Sequence, residues 1–281
     1  MNYSSNKRHL KGDVDTSQDR VRYQRLGDDL VAEEEALDDI VVGIDDASWA
    51  VATPAQGWDV HDQIAHLAAS EDLAALAASD PLAFGAELTR LLSSPDGPEL
   101  EHLQRTRAMT PSEVLRWWRT ARSRTVAALW THDPTDRLPW AGPDMSAMSF
   151  ASARLMETWA HGQDIVDALG IERMPTDRLF HVALLGVRTR RFSYVNRGLP
   201  FPVGEVRVEL LSPSGRRWVW GDAGAMDRVT GPALDFCLVV TQRRWVGDTN
   251  LDVIGDAANE WMAIAQTFAG PPTDSRTARE P

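Results

Sequence analysis

The spacing of apolar residues changes once along this chain, and that change limits what the chain can fold into. Up to about residue 170 they recur at helical intervals, and after Pro175 an alternating stretch takes over. Leu26, Leu30, Val31, Leu37, Ile40 and Val41 predict a first helix from about Val21 to Ile44, with Glu33, Glu34 and Glu35 on its other side. Asp59, with Asp62 three positions on, predicts the capped start of a second helix reaching about Ala78. Pro81 interrupts it. A shorter helix, Leu82 to Leu92, follows, with a break from Ser93 to Gly97. Thr110-Pro111-Ser112-Glu113 sets a capping threonine, a proline at the first helical position and a glutamate at the third, opening a helix to about Thr131. A loop from Asp133 to Asp144 leads to a fourth long helix, Ser146 to Leu169, stopped by Gly170.

Thr176 to Asn196 reads as helix again. Val206, Val208 and Leu210 then alternate with Arg207 and Glu209, the period of a strand, and Arg217 to Trp220 returns after a turn at Ser212-Pro213-Ser214-Gly215. Helices at about Pro232 to Gln242 and Gly255 to Phe268 complete the pattern. The expected fold class is therefore α+β: a four-helix bundle over residues 21–172, then a smaller α+β domain over residues 173–270. Residues 1–20 and 271–281 have too few apolar side chains to offset their ordering entropy, and are expected to be disordered tails.

Composition narrows the partners. Of 281 residues, 43% are hydrophobic, enough for a core of this extent. A net charge of -12 repels phosphate backbones, and the arginine clusters at Arg188 to Arg191 and at Arg243 with Arg244 are too short for a binding arm. No nucleic-acid partner is expected. No apolar run reaches the roughly 18 residues of a membrane span, and the N-terminus has no apolar signal core, so the chain is expected to be cytoplasmic. Cys237 stands alone inside the apolar run Leu234 to Val240, the setting of a small buried side chain rather than a nucleophile. Lysine occurs only at Lys7 and Lys11 while arginine, alanine, aspartate and glycine abound, a bias of high-GC bacterial genomes.

One constellation carries chemistry. Glu157 and His161 lie four apart on the fourth helix, about 40° apart around its axis, so both can reach one metal ion. Ala153, Asp164 and Ala168 share that stripe: the alanines leave room, and Asp164 is placed to hold His161 from behind. A buried glutamate without a partner is expensive, and a metal is one way to satisfy it. On spacing alone a surface ion pair is the commoner explanation. His66, on the second helix, is a third candidate ligand. His61, His102, His132 and His181 are expected to be solvated or structural. No nucleophile elbow, phosphate loop or dinucleotide fingerprint is present.

Gly57-Trp58-Asp59-Val60-His61-Asp62-Gln63-Ile64-Ala65-His66-Leu67 and Met156-Glu157-Thr158-Trp159-Ala160-His161-Gly162-Gln163-Asp164 resemble the two motifs of the DinB-like, mycothiol-dependent maleylpyruvate isomerase superfamily. The later segments Arg191-Phe192-Ser193-Tyr194, Gly231 to Arg244 and Ile264 to Pro272 are similar to a two-domain, actinobacterial-type subgroup of metal-binding proteins. The resemblance implies a four-helix bundle with one metal on His66, Glu157 and His161; the central glutamate is similar to the isomerase branch, where other DinB-like proteins use three histidines. Trp245 departs from it, standing where a histidine would follow the arginine pair.

Zinc suits imidazole and carboxylate ligands and keeps an open position with three of them; nickel, manganese and iron also accept such ligation. The resemblance further implies an isomerase or thiol transferase acting on a small electrophilic or unsaturated molecule, with mycothiol as thiol cosubstrate. A thiol-independent metalloenzyme, whether hydrolase, lyase or catalyst of a rearrangement, stays open. So does a non-catalytic protein whose tryptophans, Trp117, Trp118, Trp140, Trp159 and Trp261 among them, line a ligand pocket. A homodimer is left open.

Overall fold

Residues 16–94, 105–270 and 272 are described in the computed structural model. The first helix, α1 (Thr16–Val42), begins ahead of the expected Val21; Tyr23, Leu26, Leu30, Leu37 and Val41 are its buried stripe. Its start therefore overlaps the expected N-terminal tail, while residues 1–15 lie outside the described residues. In α2 (Val60–Ser79) the Asp59 carboxylate accepts the Asp62 N–H at 2.8 Å, and the Asp62 side chain reaches back to the Asp59 N–H. Asp80 then caps α3 (Pro81–Leu92), which starts on Pro81. Helix α4 (Pro111–Leu129) opens on the expected Thr110–Glu113 box. Strands β1 (Arg137–Leu138) and β2 (Met145–Ser146) form a small antiparallel ladder in the connecting loop and bury Leu138. Helix α5 (Ala147–Leu169) ends at Gly170, in the left-handed conformation with φ 65°.

The four long helices pair α2 on α4 and α1 on α5, with α2 also meeting α5. Two apolar clusters fill the bundle. One is built from Leu37, Val41, Ile64, Leu67, Val114, Trp118 and Ile165. The other takes Leu26, Leu30, Phe150, Leu155 and Trp159 and continues without a break into the second domain. Between these two ends, each helix contributes buried polar side chains: Glu34, Glu71, Thr125, Arg154 and Thr158.

The second domain starts with α6 (Leu179–Arg188) and α7 (Arg190–Asn196), where one helix was expected. The break falls at Thr189, whose hydroxyl donates to the Leu185 and Gly186 carbonyls. Strands β3 (Val206–Leu211), β4 (Arg217–Trp220), β5 (Asp227–Pro232) and β6 (Asp252–Ile254) form a sheet of order β4-β3-β5-β6, in which β3 and β5 run parallel. Val206, Val208 and Leu210 face inward, and Trp220 and Trp218, the antiparallel partners of Val208 and Leu210, meet Phe180. Helices α8 (Ala233–Val240) and α9 (Asp256–Ile264) cover that face. Cys237 is fully buried there, and burial pushes its thiol well up, away from reactivity. Trp118, Trp159 and Trp261 are core side chains rather than pocket walls. Among the described residues no helix is long and apolar enough to cross a membrane.

Candidate metal centre

The cap that starts α2 also positions its functional face. Arg107 grips Asp62 at 2.7 and 3.2 Å and donates to the Gly57 carbonyl, tying the Trp58 loop to the first turn. One turn on, Gln63 and His66 point toward α5. There Glu157 Oε2 and His161 Nε2 are 3.2 Å apart, and their side chains are 15% and 12% exposed, so the pair is mostly enclosed but not sealed. The His66 and His161 rings lie 4.6 Å apart, and one ligand atom from each of His66, Glu157 and His161 falls within 4.8 Å of the others. Trp58 stacks on His161 at 6.0 Å and leans on His66 at 5.0 Å, walling one side.

These residues could hold a divalent transition ion. With bonds of about 2.0 Å, a tetrahedral site has ligand-to-ligand edges of about 3.3 Å, which the Glu157–His161 separation of 3.2 Å already matches. The orientation of His161 is also defined. Gln63 Oε1 lies 2.5 Å from His161 Nδ1, Gln63 Nε2 donates to Thr53 Oγ1 at 2.8 Å, and Thr53 Oγ1 donates to the Trp58 carbonyl at 3.0 Å. That chain places the proton on Nδ1 and leaves Nε2 for the centre, the usual division of labour in a ligating histidine. Burial alone would raise the Glu157 carboxyl, but the His161 ring 3.2 Å away and the nearby Arg154 charge outweigh it and bring it down to about 2. Glu157 is thus an ionised donor.

Asp164, expected to hold His161, is 1% exposed and accepts from Arg243 Nη2 at 2.8 Å; Gln63 takes the His161 Nδ1. Asp167 pairs likewise with Arg244 at 2.7 Å. The last turns of α5 are therefore pinned by the second domain. Trp245, which follows those arginines, is 40% exposed and lays its ring on Gly247.

Asp59, His61 and Asp62 also cluster within 4.8 Å. Their atoms already serve the helix cap, Arg107 and, for His61 Nε2, the Met109 carbonyl at 3.1 Å. His132 contacts the Ala78 carbonyl and His181 pairs with Asp29, so both are structural. His102 lies outside the described residues. The sequence reading missed Gln63 and Arg154. Gln63 had a signal, since it precedes His66 by one helical turn. Arg154, which is 3% exposed and lies over the Trp140 ring at 4.9 Å, had none.

A helical bundle with a His–Glu–His cluster at its heart and a small α+β domain on its flank defines a DinB-like protein. Residues 30–166 match the family model of the mycothiol maleylpyruvate isomerase N-terminal domain. Uncharacterized proteins from two strains of Mycobacterium tuberculosis are each 43% identical to it over 248 residues, which covers 88% of this chain and 96% of theirs. Two crystal structures of the mycothiol-dependent maleylpyruvate isomerase, one of them of a mutant, share the fold with TM-scores of 0.52 and 15% identity, over 79% of this chain and 90% of theirs. The chain belongs to the DinB-like superfamily that contains the mycothiol-dependent maleylpyruvate isomerases.

Proposed function

We propose that this protein is a metal-dependent enzyme of the mycothiol-dependent isomerase or thiol S-transferase type, acting on a small electrophilic or unsaturated molecule. His66, Glu157 and His161 would hold one divalent cation, with zinc the best match to two imidazoles and a carboxylate. The observation that carries the reading is the enclosed His–Glu–His cluster with His161 already oriented by Gln63. When bound, such a cation supplies stabilisation of negative charge on sulfur or oxygen. The chain's own groups do the rest. Gln63 and Thr53 keep the His161 tautomer, Trp58 screens the imidazoles from water, and the buried Arg154 charge favours an anionic ligand over a neutral one. A thiol that must bind as thiolate suits such a place.

Two measurements bear on this. Gln63→Ala is expected to weaken zinc binding by about 10–100-fold, the usual effect of losing the group that orients a ligating histidine, as read by competition with a chromophoric chelator. Unchanged affinity would remove Gln63 from the centre. Cobalt-loaded protein should develop a sulfur-to-cobalt charge-transfer band on addition of mycothiol, and Glu157→Gln should weaken it. If mycothiol, cysteine and glutathione all leave the spectrum unchanged while cobalt stays bound, the thiol chemistry is wrong and a thiol-free metalloenzyme remains.

A further inference from the structure

A guanidinium lies inside the bundle with little to compensate it. Arg154 on α5 is 3% exposed, and Glu71 Oε1 is 3.8 Å from its Nη1, too long for a hydrogen bond. Its Nε has no hydrogen-bond partner among the described residues. Its close polar contact is to a neutral group: Nη1 donates to Ser70 Oγ on α2 at 2.5 Å. The flat guanidinium lies over two rings, Trp140 at 4.9 Å and Phe150 at 6.0 Å. Trp140 is itself held, stacked on Phe84 at 5.9 Å and edge-on to Phe150 at 5.1 Å. Stability does not account for such a residue. Taking a guanidinium out of water is expensive, a distant carboxylate and a hydroxyl offset it poorly, and apolar side chains of similar volume commonly fill such places at no loss of stability.

The position of Arg154 does account for it. Arg154 stands three residues before Glu157 on α5, and Ser70 stands four residues after His66 on α2, each about one helical turn from a candidate ligand. On the other side of the centre, Gln63 stands three residues before His66 and meets His161, four residues after Glu157, at 2.5 Å. The two cross-links are thus spaced alike on both helices, from Gln63 to Ser70 on α2 and from Arg154 to His161 on α5, and they run in opposite chain directions as rungs between antiparallel helices. Each spacing is about 10 Å along its helix. His66 and Glu157 lie between the rungs.

We propose that Arg154 is a positioning residue: its bond to Ser70 is the second of two rungs that fix the separation and register of α2 and α5 around His66 and Glu157. The inference rests on the metal-binding reading. Trp140 keeps the guanidinium from swinging away, so the rung is stiff. Without it, the polar tie between the two helices survives on the Gln63 side alone, and His66 and Glu157 are no longer held at one spacing.

The test is a double-mutant cycle on zinc affinity in the full-length protein, read by competition with a chromophoric chelator. Ser70→Ala and Arg154→Met should each weaken zinc binding by about tenfold or more, as loss of a ligand's support does. The double variant should bind no worse than Arg154→Met, because the two residues form one tie. The visible ligand-field bands of cobalt-loaded protein report the arrangement of the ligands, and should shift or lose intensity in both single variants. Arg154→Lys should recover part of both effects, since its ammonium can still donate to Ser70 but cannot stack flat on Trp140. Ser70→Ala, which removes one oxygen from a half-buried position, decides the matter should Arg154→Met fail to fold. Additive losses in the double variant, or wild-type affinity and cobalt bands in Ser70→Ala, would overturn the proposal. So would an affinity loss that tracks a fall in the metal-free melting temperature while the cobalt bands stay unchanged. In each of those cases zinc still binds the wild type and only this inference falls; if the wild type takes up no zinc, the metal-binding reading falls with it.

Discussion

Replacing His161 by alanine is expected to lower zinc affinity by well over ~100-fold, beyond the 10–100-fold typical of losing a supporting hydrogen bond. The reason is geometric. His161 is the residue through which every other part of the centre is connected: it meets Glu157 at 3.2 Å, Gln63 at 2.5 Å, and the rings of His66 and Trp58. The fold should survive the change, because two apolar clusters fill the bundle independently of any ion. Far-ultraviolet circular dichroism of His161→Ala should therefore match that of wild type. The melting temperature of wild type should rise with zinc and fall with chelator, since about 2.7 kcal/mol is gained at a free metal concentration one hundred times Kd. That shift should be absent in the variant. His61→Ala is the control: its ring serves the Met109 carbonyl, and zinc binding should be untouched. Wild-type zinc affinity in His161→Ala would sink the assignment of the centre.

Glu34→Gln should make the protein more stable in alkaline solution, with no gain in mild acid. The Glu34 carboxyl is raised from 4.5 to about 9 in the folded protein, first by burial and then by Glu71. A group raised on folding binds more protons folded than unfolded. Its stabilising contribution is complete below the unfolded value and is lost as pH climbs toward the folded one. Between about pH 5 and pH 8 the metal-free wild type should lose stability at up to about 1.4 kcal/mol per pH unit from this group. The amide is the neutral form made permanent, so the variant should lack that slope and exceed wild type by a few kcal/mol near pH 8, on the order set by the same relation. Urea unfolding at about pH 5 and pH 8 reads both ends. Parallel pH profiles for the two proteins would mean that Glu34 is ionised in the fold, satisfied by Arg122 or Arg154.

The second domain holds the helix on which Glu157 and His161 sit. Arg243 and Arg244, just past α8, hold Asp164 and Asp167 on α5. Arg173 and Arg178 both pair with Glu33 on α1. These buried or half-buried pairs cross the junction, where one apolar cluster also runs through both domains. The helix that carries Glu157 and His161 is thus tied near its C-terminal end to the second domain.

Much of this was legible in the residue order, for a local reason. Caps and breakers act over a few positions, so Asp59, the Thr110–Glu113 box and Gly170 announced helix ends that the structure keeps within a residue or two. Four-residue spacing likewise placed Glu157 and His161 on one face whatever surrounds them. Strands β5 and β6 were illegible. Asp227–Pro232 holds one buried valine among polar residues, glycine and proline, and it is a strand because β3 lies alongside it in parallel register, Val229 beside Val208. Only glycine fits at position 231, with φ 144°, because a Cβ there would come within 2.8 Å of the Asn250 carbonyl oxygen. The same holds for the polar interior. That Gln63 meets His161 Nδ1, that Arg243 claims Asp164, and that Glu34 and Glu71 are both buried depend on how α1, α2, α5 and the second domain are brought together. Residues distant in the chain acquire those neighbours only through packing, and in a buried interior the nearest charge decides each group's state.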